Sequence, residues 1–197
     1  PLPFDYLHAP GNSGFSPLAS TVQQNLIAST TNFSTSINTI FIYPFFVGRG
    51  GLTVTRAGVI SNTPGAGRAV RVGLYACAPP SAHDLYPTTL VRDFGLIDTT
   101  VAGARYSTAG SPLTIENGLY WIAVHQATAT GSTLIAAAGS TGNPATGGRV
   151  YLGWASTNLP NRSATVALTT GLALPSTFPA GAALSTALSA LPIVMLE

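Results

Sequence analysis

Residues 69–78, Ala69-Val70-Arg71-Val72-Gly73-Leu74-Tyr75-Ala76-Cys77-Ala78, decide the fold class. Val70, Val72, Leu74 and Ala76 fall on one face of an extended chain, and Arg71, Gly73 and Tyr75 on the other. Successive side chains of a strand point to opposite sides of a sheet, so this period of two predicts a half-buried β-strand. Downstream, Gly118 to Gln126 repeats the pattern, with Leu119, Trp121 and Ala123 opposite Tyr120, Ile122 and Val124.

Working outward, more strands follow. Residues 37–47 are rich in β-branched and aromatic side chains and apolar on both faces, which predicts a central strand. Further strands are expected at Leu52–Ile60, Leu90–Ile97, Leu113–Ile115, Thr133–Ala137, Val150–Trp154 and Pro192–Leu196. Turn-rich pieces such as Asn62-Thr63-Pro64-Gly65-Ala66-Gly67 and residues 139–148 separate them. Gln23–Ala28 reads equally as a short helix or a strand, and Thr177–Ala190 as mostly loop. Many short strands at this spacing predict an all-β fold, an antiparallel β-sandwich of jelly-roll type spanning residues 21–197 as one domain.

Residues 1–20 read differently. Pro1, Pro3, Pro10 and Pro17 favour an extended path without regular pairing, yet Leu2, Phe4, Tyr6, Leu7 and Phe15 are too apolar for a free tail. The segment is expected to be an extended docking arm, lying in a groove of its own domain or of a neighbour.

Composition narrows the function. Charged residues make up 7% of the chain and apolar ones 46%, against about 25% charged in ordinary soluble domains. A disordered chain would be charged and poor in apolar residues. A membrane helix would need ~18–20 consecutive apolar residues, whereas the longest run, Ile40 to Val47, is strand-sized and interrupted by Pro44. A surface of Thr, Ser, Asn, Gly and Ala suits a protein that buries much of itself in an assembly. All eight basic residues are arginines and they are scattered, with no basic run for nucleic acid. The absence of lysine fits either interface pairing by arginine or a GC-rich genome. Cys77 alone cannot form an internal disulfide and reads as a small core residue.

Chemistry-bearing sets are sparse. Neither a Gly-x-Ser-x-Gly elbow nor a phosphate-cradling loop with lysine occurs. His8, His83 and His125 are too far apart for metal-ligand spacing, and His125, ending its strand, reads as a hydrogen-bonded rim residue. Asp93 and Asp98 are five apart on one strand and point to opposite faces, unlike a glycosidase pair. Glu116 reads as a solvated turn residue. The chain is therefore expected to be no enzyme and to need neither cofactor nor metal. Tyr86, Tyr106, Tyr151 and Trp154 lie near loops and are candidates for stacking on a surface sugar or receptor, with core or interface packing as the competing role.

Three segments in order carry a specific resemblance: Arg71-Val72-Gly73-Leu74-Tyr75, then Tyr86-Pro87-Thr88-Thr89-Leu90-Val91-Arg92-Asp93-Phe94-Gly95, then Leu113-Thr114-Ile115-Glu116-Asn117-Gly118-Leu119-Tyr120-Trp121-Ile122-Ala123. Together they resemble a β-sandwich module of tailed-phage structural proteins, found in tail fibres, head fibres and spikes. Tyr43-Pro44-Phe45 with Leu52-Thr53-Val54 resembles the module's opening strands, and residues 173–181 its closing segment. The resemblance spans residues 37–181 and leaves the arm outside. It implies a virion component, oligomeric and by analogy trimeric, that docks on other particle proteins through its arm and contacts host surface polysaccharide. It supplies no catalytic residue. A capsid decoration or cementing protein and a stand-alone carbohydrate-binding module are the alternative readings.

Overall fold

The computed structural model describes residues 29–35, 39–78, 86–128, 131–138, 163–164, 173–179, 184–185 and 190–197. The arm residues Leu2, Phe4, Tyr6, Leu7 and Phe15, the strand expected at 150–154 with Tyr151 and Trp154, and the segment 23–28 lie outside them. The described residues are all-β, without a helix, and every strand pairing is antiparallel.

In chain order the strands are β1 (Ser29–Ser34), β2 (Ile40–Val47), β3 (Leu52–Val54), β4 (Ala57–Thr63), β5 (Ala69–Cys77), β6 (Pro87–Asp98) and β7 (Gly103–Tyr106). There follow β8 (Leu113–Ile115), β9 (Gly118–Gln126), β10 (Thr133–Ala138), β11 (Ser163–Ala164), β12 (Leu184–Ser185), β13 (Ala190–Pro192) and β14 (Val194–Leu196). One sheet runs β2-β9-β5-β6. A second runs β1-β10-β4-β14, with β13 also on β10 and β7 also on β4. β3 pairs with β8, and β11 with β12.

Alternation places the core. Tyr43, Phe45, Val70, Val72, Leu74, Phe94, Ile122 and Val124 from the first sheet pack in one cluster with Val59, Leu134, Val194 and Leu196 from the second. Val70, Val72 and Leu74 have no solvent exposure, as the period of two in β5 requires. The Tyr43 hydroxyl crosses this core to donate to the Pro192 carbonyl at 3.0 Å, and burial pushes that phenol well above its ordinary range.

Three expectations change in physically informative ways. Among the described residues, residues 40–47 are flanked not on two sides but by β9 alone. Its two faces join two apolar clusters, Tyr43, Phe45 and Val47 in the main core and Ile40 and Ile42 in a second, while Phe46 near its end is exposed. Pro44 fits this edge, because a strand with one neighbour leaves alternate N–H groups without a ladder partner. The run Leu52–Ile60 breaks into β3 and β4 because the amides of Thr55 and Arg56 bond instead to the Glu197 carbonyl. Pro192–Leu196 likewise splits at Ile193, whose N–H goes to Ile135 O at 3.1 Å; the chain changes partner there from β10 to β4.

The tight turn into β3 depends on Gly51. Its φ is +69°, and a Cβ there would lie 2.8 Å from the Ile115 carbonyl oxygen. Backbone cannot swing aside as a side-chain tip can. Gly51→Ala is expected to lower stability by about 1–3 kcal/mol, read as a shift in urea midpoint at unchanged slope.

Candidate functional site

The face of the β2-β9-β5-β6 sheet turned away from the main core is built in cross-strand rows. One row is Ile42, Ala123, Gly73, Asp93, and the next brings Trp121, Tyr75 and Leu90 together. Ile40, Ile42, Tyr75, Trp121 and Ala123 form a second apolar cluster here, and residues 173–179 lie across it as a strap that inserts Leu174 and Phe178.

Backbone and side chains both fix this strap. The Leu90 amide donates to Ser176 O at 2.8 Å and the Phe178 amide to Thr88 O at 2.7 Å, extending the sheet beyond β6 by a short ladder. The Tyr75 hydroxyl donates to Pro175 O at 2.8 Å, and the Tyr86 hydroxyl to Pro179 O at 2.7 Å. Phe178 meets Tyr75 and Tyr86 edge-on, with centroids 5.4 and 5.8 Å away. A Cβ at Gly73 would lie 2.3 Å from Leu174 Cδ1, so a larger residue there would make the strap's leucine shift. Burial, assisted by the Asp93 charge, raises the Tyr75 phenol far above its usual range.

These contacts unite the segments singled out in the sequence. Residues 43–45, 71–75, 86–95 and 118–123 lie on adjacent strands of one sheet, and residues 173–179 close over it. Residues 52–54, and residues 113–115 at the start of the third segment, stand apart as β3 and β8 paired with each other.

Beyond the strap the same face turns polar. Its last full row is Ile40, His125, Arg71, Leu96. Arg71 Nη1 donates to Asp93 Oδ2 at 2.6 Å, and Asp93 Oδ1 accepts from the Gly95 amide at 2.8 Å. His125 is wholly buried, not on a rim: its Nδ1 lies 3.1 Å from the Thr39 carbonyl, and its Nε2 is buried with no hydrogen-bond partner among the described residues. Because a carbonyl only accepts, Nδ1 carries the proton of the neutral ring and Nε2 the lone pair. Desolvation, and then the neighbouring Arg71 charge, lower the His125 pKa below the ordinary histidine value, against the opposing Thr39 bond. Sequence reasoning saw a terminal histidine; its burial depends on layers stacked over the sheet, which a period of two does not encode.

Of the two described aromatics proposed for surface recognition, Tyr86 is half-buried under the strap. Tyr106 lies across the molecule's other sheet, with the Arg56 guanidinium 4.4 Å above its ring and its hydroxyl 3.5 Å from Met195 Sδ. Arg56 also pairs with the Glu197 carboxylate, whose pKa it lowers. That pair is about two-fifths exposed on each side, where such contacts contribute little. Cys77 is half-buried beside the outer cluster; desolvation raises its thiol pKa, and the Trp121 indole acts against this.

Glu116 stays exposed in its turn. Among the described residues no three His, Cys, Asp or Glu gather as metal ligands, and no helix is long and apolar enough to cross a membrane. No family model, no curated protein and no solved structure matches the chain.

Proposed function

We propose that this protein is a structural component of a tailed-phage particle, a fibre or spike module that docks through residues 1–20 and presents its loops to host surface polysaccharide. The reading makes the two larger sheets the halves of a β-sandwich of jelly-roll type, and the core shared between their strands supports it. What carries the proposal is the convergence of the resembling segments: β2, β5, β6, β9 and the strap at 173–179 make one continuous unit. A chance likeness of scattered peptides has no reason to assemble into one sheet with its own cover.

The composition supports an assembled state. With 7% charged residues, an isolated chain lacks the net charge that keeps domains apart in solution, whereas threefold packing of Thr-, Ser- and Ala-rich faces would cover that surface. Tyr86 and Tyr106 turn ring surface to contacts within the chain. Recognition of a saccharide is therefore assigned to the loops between strands as a whole.

Light scattering on the full chain, beside a variant lacking residues 1–20, tests the proposal. A trimer or larger assembly is expected in both, with the arm reserved for docking on other particle proteins. Assembly lost with the arm would make it an inter-subunit tie within the same reading. A monomer in both would overturn the fibre or spike assignment.

A further inference from the structure

Nine asparagines occur in the chain, and Asn117 alone is followed by a glycine. The following residue matters because its backbone nitrogen can attack the asparagine side-chain carbonyl, and a Cβ there hinders the approach. The structure sets Asn117 apart from the other described asparagines, Asn32 and Asn62. Those two lie within β1 and β4, and Asn62 Nδ2 donates to Asn32 Oδ1 at 2.6 Å. Asn117 is exposed, in the two-residue link between β8 and β9, and its side-chain amide has no hydrogen-bond partner among the described residues. Space is open at the attacking residue too. A Cβ built on Gly118 would meet, beyond its chain neighbours, Tyr120 Cε2 at 3.6 Å and no other described atom within 4 Å.

We propose that Asn117-Gly118 is a self-modification site, at which the folded chain deamidates without an enzyme. The Gly118 amide gives its proton to solvent, and its nitrogen attacks Asn117 Cγ. The new N–C bond closes a succinimide ring, and the side-chain nitrogen leaves as ammonia. Water then opens the ring at either carbonyl. Cleavage of the new bond restores the backbone and leaves aspartate. Cleavage of the original peptide bond leaves isoaspartate, in which the chain runs through the former side chain. One water is consumed, one ammonia is released, and nothing is oxidised or reduced.

Either product places a carboxylate beside the exposed Glu116 and lowers the formal net charge of +2 by one. Isoaspartate also adds one backbone atom to the link. The two ends of that link are held by different partners, Ile115 by Leu52 of β3 and Gly118 by Val47 of β2. Each end is fixed in its own register, so the added length falls on the link and on these end pairs.

The test ages the full wild-type chain and Asn117→Gln in mildly alkaline buffer, which favours the deprotonated amide nitrogen, and follows both by peptide mass mapping and ion exchange. Glutamine would have to close a larger ring and reacts far more slowly. The wild-type peptide carrying residue 117 is expected to gain the mass difference between an amide and an acid, in isoaspartyl and aspartyl forms, ahead of those carrying Asn32 and Asn62. The intact protein should shift by one negative charge, and Asn117→Gln should lack that acidic species. An Asn117 that stays an amide, or converts no faster than Asn32 and Asn62, would overturn the site. Conversion confined to urea-unfolded chain would overturn it as well, since the folded turn would then forbid ring closure. Asn117→Asp carries the charge without the added atom and so isolates the backbone effect. Amide hydrogen exchange at residues 115 and 118 should be faster in the aged wild type than in this variant; equal exchange would overturn the loosening of the end pairs.

Discussion

Phe178→Ala is expected to lower the unfolding free energy by about 3–5 kcal/mol, the range for emptying a buried aromatic site. Phe178 is 2% exposed and lies edge-on to both Tyr75 and Tyr86. Truncation removes its transfer energy, leaves a cavity between two rings, and loosens the strap that covers Trp121 and Ala123. The backbone bonds to Thr88 and Leu90 cannot compensate, since strap and sheet edge can exchange those bonds for water at small net cost. Urea denaturation followed by Trp fluorescence measures the loss, and Trp121 beneath the strap should report it. A change below about 1 kcal/mol would mean that the strap contributes little to the folded state.

Gln126→Ala is expected to cost about 2–4 kcal/mol, because it removes three hydrogen bonds of a buried amide and leaves a cavity in their place. The Gln126 carbonyl accepts from Thr35 Oγ1 and the Ser132 amide, and its Nε2 donates to Thr128 Oγ1 at 2.9 Å. Ser132 Oγ lies 2.8 Å from Thr99 Oγ1, and the Ser61 hydroxyl donates to Thr99 O at 3.2 Å, so the network joins β9 to β4 through the residues just before β10 and just after β6. Gln126, Thr99, Ser132 and Ser61 are all buried. Thr35 retains the Ser132 carbonyl as an acceptor at 3.0 Å, which limits the loss. A double-mutant cycle with Thr35→Val should show coupling of at least about 0.5 kcal/mol between the two sites; additive losses would show that they act independently.

The strands most legible in the sequence were those with a strong local period. β5, β8, β9 and β10 lie within a residue of where alternation placed them. β1 and β7 were not legible. Ser29-Thr30-Thr31-Asn32-Phe33-Ser34 has one large apolar residue and no clean alternation. It becomes a strand because β10 offers an unpaired edge and Phe33 finds Phe41, 4.5 Å away edge-to-face. Gly103-Ala104-Arg105-Tyr106 is recruited in the same way by β4. A strand made by its neighbour carries little signal of its own.

The candidate site divided along the same line. Trp121, Tyr75 and residues 173–179 stood out in the sequence, and they form the covered outer face. Tyr86 was singled out for a surface and lies under the strap instead, because Phe178, over 90 residues later, supplies its packing partner. The polar row of His125 and Arg71, with Asp93 one row away, was not legible, since its members come from three strands whose register no local pattern specifies.

What the sequence determined by itself was the period of two, and with it the all-β class, the inward faces of β5 and β9 and the break points at Gly- and Pro-rich turns. Each of these follows from steric and solvation preferences within a few residues. Tertiary structure decided that β2, flanked by β9 alone among the described residues, feeds two separate apolar clusters, that the chain changes sheet partner at Ile193, and that His125 loses all contact with water. Those outcomes depend on which layers stack over a strand and which edges remain open to pairing, and such contacts join residues far apart in the chain.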